Sequence, residues 1–255
     1  MAALSIRSEG AGGPEAALLH GFGADRLGWL ATLPALPGRS YLVDLPGHGR
    51  SINVPVTGVE TMAAEIADAL AARAAGPPVL IGHSLGGGLA MLIARDRPDL
   101  VAGLFLIAPA GLGREVDRGF LERLPACESE AEMKAELARL VADPRVLGRE
   151  AVRYALDQLS RPGARVALAD AARALEAGLP VLAEAARRIA RTALPRQVIW
   201  GAADRIAPPD DAALAAFGSH EILPGIGHLP QIEAAKTVNA GLRRFLADLP
   251  GSAAG

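Results

Sequence analysis

The chain has 255 residues, of which 51% are hydrophobic and 21% charged, and its formal net charge is -2. This length and composition are typical of a globular protein with one sizeable core and exclude a disordered chain. A charge this close to neutral provides no basic field, so nucleic acid and anionic membranes are excluded as main partners.

The single cysteine and the lengths of the uncharged segments indicate the cellular compartment of the protein. Cys127 is the only cysteine, which excludes an internal disulfide and a multi-cysteine metal site and fits a reducing environment. The first residues lack a charged lead followed by a long apolar core, so we expect no signal peptide. The longest run without Asp, Glu, Lys, Arg or His, residues 100–113, is shorter than the ~20 residues of a membrane-spanning helix. We therefore expect a cytoplasmic protein.

Short apolar runs alternate with helix-like segments along most of the chain. Continuous apolar runs, without polar residues at alternate positions, are typical of a parallel sheet covered by helices on both faces. The runs that predict strands are residues 16–19, 40–44, 79–81, 104–107, 198–200 and 221–223.

Capping signals and helical spacing predict the helices. Thr57 and Ser129 each precede a glutamate by three residues, which is the capping-box pattern, and Asp25 is placed to cap a helix of its own. A proline or glycine follows several of the periodic segments and predicts their ends. The predicted helices cover residues 25–33, 57–75, 129–141 and 152–159, then one that ends near Gly178, and finally 210–217 and 231–246.

Residues 113–194 contain helical segments but no strand-like run. A helical block between two strands of a parallel sheet predicts a cap over the carboxyl ends of the strands, where open α/β sheets bind ligands. We expect residues 1–112 and 195–250 to form the core, 113–194 the helical cap and 251–255 a flexible tail.

The segment Gly82-His83-Ser84-Leu85-Gly86 follows an apolar run and precedes a helix-like one. Glycines two residues before and after Ser84 allow a sharp turn that projects a serine hydroxyl from the end of a sheet. A glycine-rich turn without chemistry has the same composition, so Ser84 needs partners before it can be interpreted as a nucleophile.

A serine becomes nucleophilic when a histidine accepts its proton and a carboxylate orients that histidine. Asp204 and His228 follow the last two predicted strands, in the order Ser, Asp, His that this architecture uses. Asp44, Asp210 and Asp211 are rival acids that a turn or a helix start explains better. The sequence therefore predicts a catalytic triad of Ser84, Asp204 and His228.

A developing oxyanion needs two preorganised backbone N–H donors. We assign them to Leu85, directly after the serine, and to Phe22, in the loop after His20 and Gly21. His20 and His48 are interpreted as structural, and His83 as pointing away from Ser84 along the strand. His220 has no supporting motif. Nucleotide-binding loops and metal-binding histidine pairs are absent from the sequence, so we expect no cofactor and no metal.

Five segments together resemble the α/β-hydrolase superfamily: residues 20–23, 44–49, 82–87, 200–204 and 225–228. The resemblance spans nearly the whole chain. It implies an α/β-hydrolase fold, in which a mostly parallel central sheet has helices on both faces and a helical cap inserted between two late strands.

A narrower set of segments, residues 106–113, the charged cap after them and residues 198–201, is similar to the C-terminal hydrolase-like domain of the acetoin dehydrogenase complex acetyltransferase component. In that family a lipoyl domain precedes the hydrolase-like domain, which is thought to transfer acetyl groups to coenzyme A. We expect the hydrolase-like domain here without the lipoyl domain.

Three functions follow from these residues. The leading one is a serine hydrolase that cleaves a small or medium carboxylic ester or thioester through an acyl-enzyme on Ser84. The second is an acyltransferase that passes an acetyl group to a thiol such as coenzyme A. Arg114, Arg118 and Arg123 could contact its phosphates, but arginine is plentiful throughout the chain, and we prefer to interpret these three as a solvated face. The third is a non-catalytic protein that binds a ligand under the cap. We expect a monomer or small homo-oligomer.

Overall fold

The computed structural model describes residues 3–250. Within them, seven strands form one sheet in the order β1-β3-β2-β4-β5-β6-β7, and every neighbouring pair is parallel except β1 with β3. The strands are β1 Ile6–Glu9, β2 Ala16–Leu19, β3 Ser40–Val43, β4 Val79–His83, β5 Gly103–Ile107, β6 Arg196–Gly201 and β7 His220–Leu223. The predicted α/β-hydrolase fold is therefore confirmed.

The helices cover both faces of the sheet and the edge where its parallel strands end. In chain order they are α1 Val59–Ala71, α2 Leu85–Asp96, α3 Arg118–Arg123, α4 Glu130–Leu137, α5 Arg149–Ser160, α6 Ala164–Ile189, α7 Asp211–Phe217, α8 Pro230–Glu233 and α9 Ala235–Ala247. Among these helices, none is both long enough and apolar enough to cross a membrane.

The side chains of the central strands point alternately to the two faces of the sheet, so the hydrophobic core consists of two clusters. Leu80, Leu104 and Leu106 pack in the larger cluster with α1, α2 and α6, whereas Ile81, Phe105 and Ile107 pack in the smaller one with α9. Successive side chains of a strand point to opposite faces, so each apolar run supplies both layers. The continuous runs in the sequence have this physical origin.

Helices α3 to α6 lie between β5 and β6 in the chain. The longest, α6, packs against α1 and α2 of the core and against α3 and α5 beside it. The capping box at Ser129 is confirmed, because its hydroxyl accepts from the Glu132 N–H while the Glu132 carboxylate accepts from the Ser129 N–H.

Several local predictions were wrong. The edge strand β1 was not predicted, and its half-exposed side chains lack an apolar run. The expected capping box at Thr57 does not form, because Gly58 is the residue that precedes α1 and provides no side-chain cap. The expected helix over residues 25–33 is replaced by short 3₁₀ turns at Arg26–Trp29 and Leu33–Ala35, although Asp25 does cap the first of them.

The largest error concerns α6, which was expected to end near Gly178. The helix instead continues to Ile189 with Pro180 inside it. A Cβ added at Gly178 would lie 2.4 Å from the Val59 side chain, so the glycine allows close packing of α6 on α1. Tertiary packing therefore outweighs the local preference of glycine and proline to end a helix. The predicted helix over 231–246 is also divided at Ala234, and the predicted flexible tail lies outside the described residues.

Candidate active site

Ser84 lies on the turn between β4 and α2. Its backbone has φ 50° and ψ -117°, a left-handed conformation that side chains rarely adopt. The Ser84 N–H donates to the Ile107 carbonyl at 3.0 Å, and the Ser84 carbonyl accepts from the Ala110 N–H at 2.9 Å. These bonds hold a strained residue in place, as is common where backbone conformation serves chemistry.

The glycines around Ser84 are required by close backbone contacts. A Cβ added at Gly86 would lie 2.2 Å from the Leu19 carbonyl oxygen, and one added at Gly82 would lie 2.6 Å from Cα of Gly87. Real Cβ atoms do not approach backbone this closely, so α2 can pack directly on the sheet only with glycine at both positions. The predicted sharp turn has this steric basis.

Asp204 and His228 follow β6 and β7 and converge on Ser84 at the carboxyl edge of the sheet. His228 Nε2 lies 3.0 Å from Ser84 Oγ, and His228 Nδ1 lies 2.6 Å from Asp204 Oδ2. Because a carboxylate only accepts, Nδ1 carries the proton and Nε2 is left to accept from the serine hydroxyl. The structure thus brings the three predicted residues into one hydrogen-bonded chain.

Asp204 is buried and receives four hydrogen bonds. Oδ1 accepts from the backbone N–H groups of Ile206 and Ala207, and Oδ2 accepts from His228 and from Trp200 Nε1 at 3.0 Å. Burial alone would raise the pKa of Asp204, but the neighbouring His228 and these hydrogen bonds lower it below its ordinary value. The carboxylate is therefore kept ionised in an enclosed position.

The sequence indicates Trp200 only as part of a motif and does not predict its role as a hydrogen-bond donor. Its Nε1–H also donates to the Ala207 carbonyl at 2.9 Å, so the indole holds both the acid and the loop that follows it. A tryptophan four residues before a candidate acid, at the end of a strand, is the signal that could have indicated this contact.

The loop that carries His228 is fixed from three directions. The His228 N–H donates to the Leu140 carbonyl at 2.7 Å, and the Gly227 N–H donates to the Glu233 carboxylate at 2.9 Å. His83 Nε2–H donates to the His228 carbonyl at 2.8 Å, and the two rings lie 4.9 Å apart. His83 has no hydrogen bond to the Ser84 hydroxyl among the described residues, yet it contacts the loop of His228, which the sequence did not indicate.

His20 and His48 form a second buried pair, with ring centroids 5.2 Å apart. His20 Nδ1–H donates to the Gly21 carbonyl, while its Nε2 accepts from the Leu45 N–H. Burial lowers the pKa of His20 to about 4 and those of His48 and His83 to about 3. These three rings are therefore neutral at physiological pH, which fits the structural interpretation of His20 and His48.

The two predicted oxyanion donors remain free within the part of the chain that the structure describes. Neither the Phe22 N–H nor the Leu85 N–H has an acceptor there. A Cβ added at Gly21 would lie 3.2 Å from Cβ of Ser84, so the loop of Phe22 directly adjoins the serine. Buried N–H groups are usually paired, and free ones beside a strained serine can accept a ligand oxygen.

The rival acids have structural partners. Asp44 forms an ion pair with Arg26 at 2.8 Å and accepts from the Arg50 N–H. Asp210 caps α7, and Asp211 lies in the first turn of that helix. None of them contacts His228, which leaves Asp204 as the acid at this histidine.

A cavity of about 360 Å³ opens beside Ser84 under the helices that precede β6. Most of its wall is apolar, and these helices contribute part of it, including Phe120, Met133 and Leu168. Arg114, Arg118 and Arg123 do not line it, and Arg118 and Arg123 pair with Glu176 and Glu136. The interpretation of these arginines as a solvated face is therefore the better one.

The described residues contain no group of three or more His, Cys, Asp or Glu side chains arranged to hold a metal ion. The fold, together with a serine, a histidine and an aspartate at the strand ends, defines a protein of the hydrolase class. Residues 17–240 match the model of the alpha/beta hydrolase family, so the chain belongs to that family.

Relatives and solved structures agree with this assignment. The chain is 34% identical to the acetyltransferase component of the acetoin cleaving system of Pseudomonas putida, over 93% of this chain and 64% of that protein. It is 32% identical to a pimeloyl-[acyl-carrier protein] methyl ester esterase of Edwardsiella ictaluri, over 96% of this chain and 98% of that protein. The solved structure of a variant of the meta-cleavage product hydrolase of Pseudomonas fluorescens IP01 superposes with a TM-score of 0.82 at 22% identity. The superposition covers 96% of this chain and 94% of that chain. The solved structure shows the same fold, and both relatives agree with the family assignment.

Proposed function

We propose that this protein is a serine hydrolase that cleaves a small or medium carboxylic ester or thioester through an acyl-enzyme on Ser84. The observation that carries the proposal is the unbroken chain from Ser84 Oγ to His228 Nε2, at 3.0 Å, and from His228 Nδ1 to Asp204, at 2.6 Å. A hydroxyl bonded to a base that a carboxylate orients is the arrangement that activates serine.

In the acylation step, Ser84 Oγ attacks the substrate carbonyl carbon and its proton passes to His228 Nε2. Asp204 stabilises the imidazolium that forms. The free N–H groups of Phe22 and Leu85 donate to the oxyanion. The bond from the carbonyl carbon to the leaving oxygen or sulfur then breaks, and His228 gives that atom the proton.

In the deacylation step, water attacks the carbonyl carbon of the acyl-enzyme and its proton passes to the same Nε2 atom. The bond to Ser84 Oγ breaks, His228 returns the proton to the serine, and the carboxylic acid leaves. The apolar wall of the cavity favours acyl groups with a hydrocarbon chain. The name of the Edwardsiella relative, a methyl ester esterase, supports an ester as substrate.

Labelling with a fluorophosphonate probe and hydrolysis of an aryl ester test this proposal. We expect the parent protein to be labelled on Ser84 and to hydrolyse the ester, and Ser84→Ala to lose the label and at least ~10³-fold in rate. Ser219→Ala, at an exposed serine on the sheet edge, is the matched control and keeps both. A Ser84→Ala protein that cleaves the ester at the parent rate contradicts the proposal, and an unlabelled parent protein favours the non-catalytic alternative.

A second candidate function is transfer of the acyl group to a thiol such as coenzyme A. It is favoured by the 34% identity to the Pseudomonas putida acetyltransferase component, although this chain spans 64% of the length of that relative. An acetyl donor offered to water and coenzyme A together distinguishes the two functions. Acetyl-coenzyme A as the main product favours transfer, whereas acetate alone favours hydrolysis.

A further inference from the structure

One cationic side chain lies in the mostly apolar wall of the cavity. Arg161, at the C-terminal end of α5, is the only arginine or lysine among the residues that line the cavity in the described chain. It is half-buried, and its guanidinium forms no ion pair with a carboxylate among residues 3–250. A partly desolvated cation without a carboxylate partner is an unusual wall residue for an apolar acyl pocket.

The guanidinium of Arg161 is oriented by one of its nitrogens alone. NH1 donates to the Gly49 carbonyl at 2.6 Å and to Gln158 Oε1 at 3.0 Å. Nε and NH2 have no acceptor among the described residues, and neither does the amide nitrogen of Gln158. The edge formed by Nε and NH2 is thus available, and it is an edge that can donate two parallel hydrogen bonds.

The acids near this corner of the cavity are already engaged. Asp25 accepts from the Leu27 N–H and from the Tyr154 hydroxyl. Asp44 accepts from the Arg26 side chain and the Arg50 N–H. Both carboxylates therefore have donors of their own, and the free donors in the corner belong to Arg161 and Gln158.

We propose that Arg161 and Gln158 form a subsite for a carboxylate group carried by the substrate. This inference rests on the proposed function, because it concerns the ester or thioester that Ser84 attacks. A planar guanidinium binds a carboxylate through two bonds, and a neighbouring amide N–H can add a third. The subsite and the loop of Phe22 line the same cavity, and the ring of His48, the residue before Gly49, lies 6.2 Å from the Phe22 ring.

The carboxylate belongs either to the acyl chain or to the leaving group, and two series of aryl esters distinguish these sources. The first compares 4-nitrophenyl esters of adipic acid, its half-amide and hexanoic acid, with spontaneous hydrolysis subtracted. The second compares hexanoate esters of phenols that carry a carboxylate, a carboxamide or a methyl group. In one series we expect the carboxylate to raise kcat/KM about 10- to 100-fold over the methyl compound.

Arg161→Gln should remove this preference, with a loss of at least ~10-fold on the carboxylate ester and less than about twofold on the methyl ester. Arg161→Lys should keep part of it. Arg165→Gln is the matched control, because Arg165 donates to the Pro125 carbonyl and does not line the cavity. Equal loss on all esters would assign Arg161 a structural role, and a parent enzyme without carboxylate preference in either series would overturn the inference.

A binding measurement separates this inference from the proposed function. In the Ser84→Ala protein, monomethyl adipate should raise the melting temperature more than methyl hexanoate, and adding Arg161→Gln should abolish the difference. Equal shifts for the two compounds contradict the carboxylate subsite even if the parent enzyme cleaves neutral esters. A larger shift for monomethyl adipate supports the subsite even if Ser84 is not labelled.

Discussion

Asp204 and Arg161 are charged residues beside one cavity, and they differ in how completely their hydrogen bonds are satisfied. Asp204 receives four hydrogen bonds and is almost fully buried. Arg161 is half-buried and uses one nitrogen, leaving an edge free. A side chain that must hold one geometry has all its hydrogen-bond partners within the protein, whereas a side chain that binds a ligand keeps hydrogen-bond donors available.

The largest effect is expected from Asp204→Asn. Because the amide oxygen is needed by the Ile206 and Ala207 N–H groups, the amide NH₂ faces His228 Nδ1 and donates to it, which favours the wrong tautomer. We expect kcat to fall by about 10³- to 10⁴-fold with a small change in KM. Steady-state kinetics on the aryl ester measures this. Asp210→Asn, at the cap of α7, serves as control and should leave kcat unchanged. Similar kinetics for both variants would show that Asp204 does not orient the base.

The buried histidines should make the protein lose stability in mild acid. The pKa values of His20, His48 and His83 are lowered from 6.5 to about 4, about 3 and about 3. Below pH 6.5 the unfolded chain binds protons that the folded chain does not, so stability declines as the pH falls towards 4. The slope should approach about 1.4 kcal/mol per pH unit for each histidine, or about 4 for the three.

Urea unfolding between pH 7 and 5 measures this slope. His48→Gln should reduce it by about a third, while His220→Gln, at an exposed position, should not change it. A stability that is constant over this range would mean that the three rings are protonated in the folded protein.

Trp200→Phe removes one donor from Asp204 and leaves the Ala207 carbonyl without its partner. We expect a loss of about 1–3 kcal/mol in the free energy of unfolding and a kcat reduced by up to ~10-fold. Trp29→Phe is a matched control, because Trp29 is equally buried and its Nε1 has no acceptor among the described residues. Equal effects on kcat would contradict a role of the Trp200 hydrogen bond in orienting the acid.

His83→Leu should lower kcat by roughly tenfold, since it removes the hydrogen bond to the His228 carbonyl. His83→Gln can place an amide N–H near the same position and should recover part of the rate. Because His83 is neutral above pH 4, the acid limb of the pH–rate profile should stay the same in the Gln variant. A shifted limb in that variant would indicate that His83 itself titrates during catalysis.

The smallest effect is expected from Arg118→Gln. Arg118 is exposed, pairs with Glu176 and does not line the cavity. We expect KM for coenzyme A, if a thiol is used at all, to change less than twofold, and stability to change by less than about 1 kcal/mol. An increase of tenfold or more in that KM would restore the phosphate-binding interpretation of the cap arginines.

The sequence predicted the parts of the molecule whose physical causes are local. The strand runs are apolar because both faces of the sheet are covered, and Gly82 and Gly86 are glycine because backbone passes within contact of their Cβ positions. The order of Ser84, Asp204 and His228 reflects parallel strands that end at one edge. Burial of a strand, close backbone contacts at a glycine and the end of a strand can each be recognised from a few neighbouring residues in the sequence.

Other features depend on contacts between distant segments and leave no such signal. Helix α6 continues through Gly178 and Pro180 because it packs on α1 and α2. The contact of His83 with His228 joins residues 145 positions apart. The free edge of Arg161 follows from the position of Gly49 in another loop. A single sequence does not encode these distances in a readable form.

The bond between His228 and Leu140 has a consequence for protein engineering. Residues 140–142 lie between β5 and β6 in the chain, yet Leu140 accepts from the His228 N–H and the Ala142 N–H donates to Glu233. An exchange of the whole inserted region between relatives would therefore remove a support of the histidine loop together with part of the cavity wall. A chimera that retains residues 138–143 of the recipient and exchanges the helices on either side should alter chain-length preference without slowing the shared chemistry.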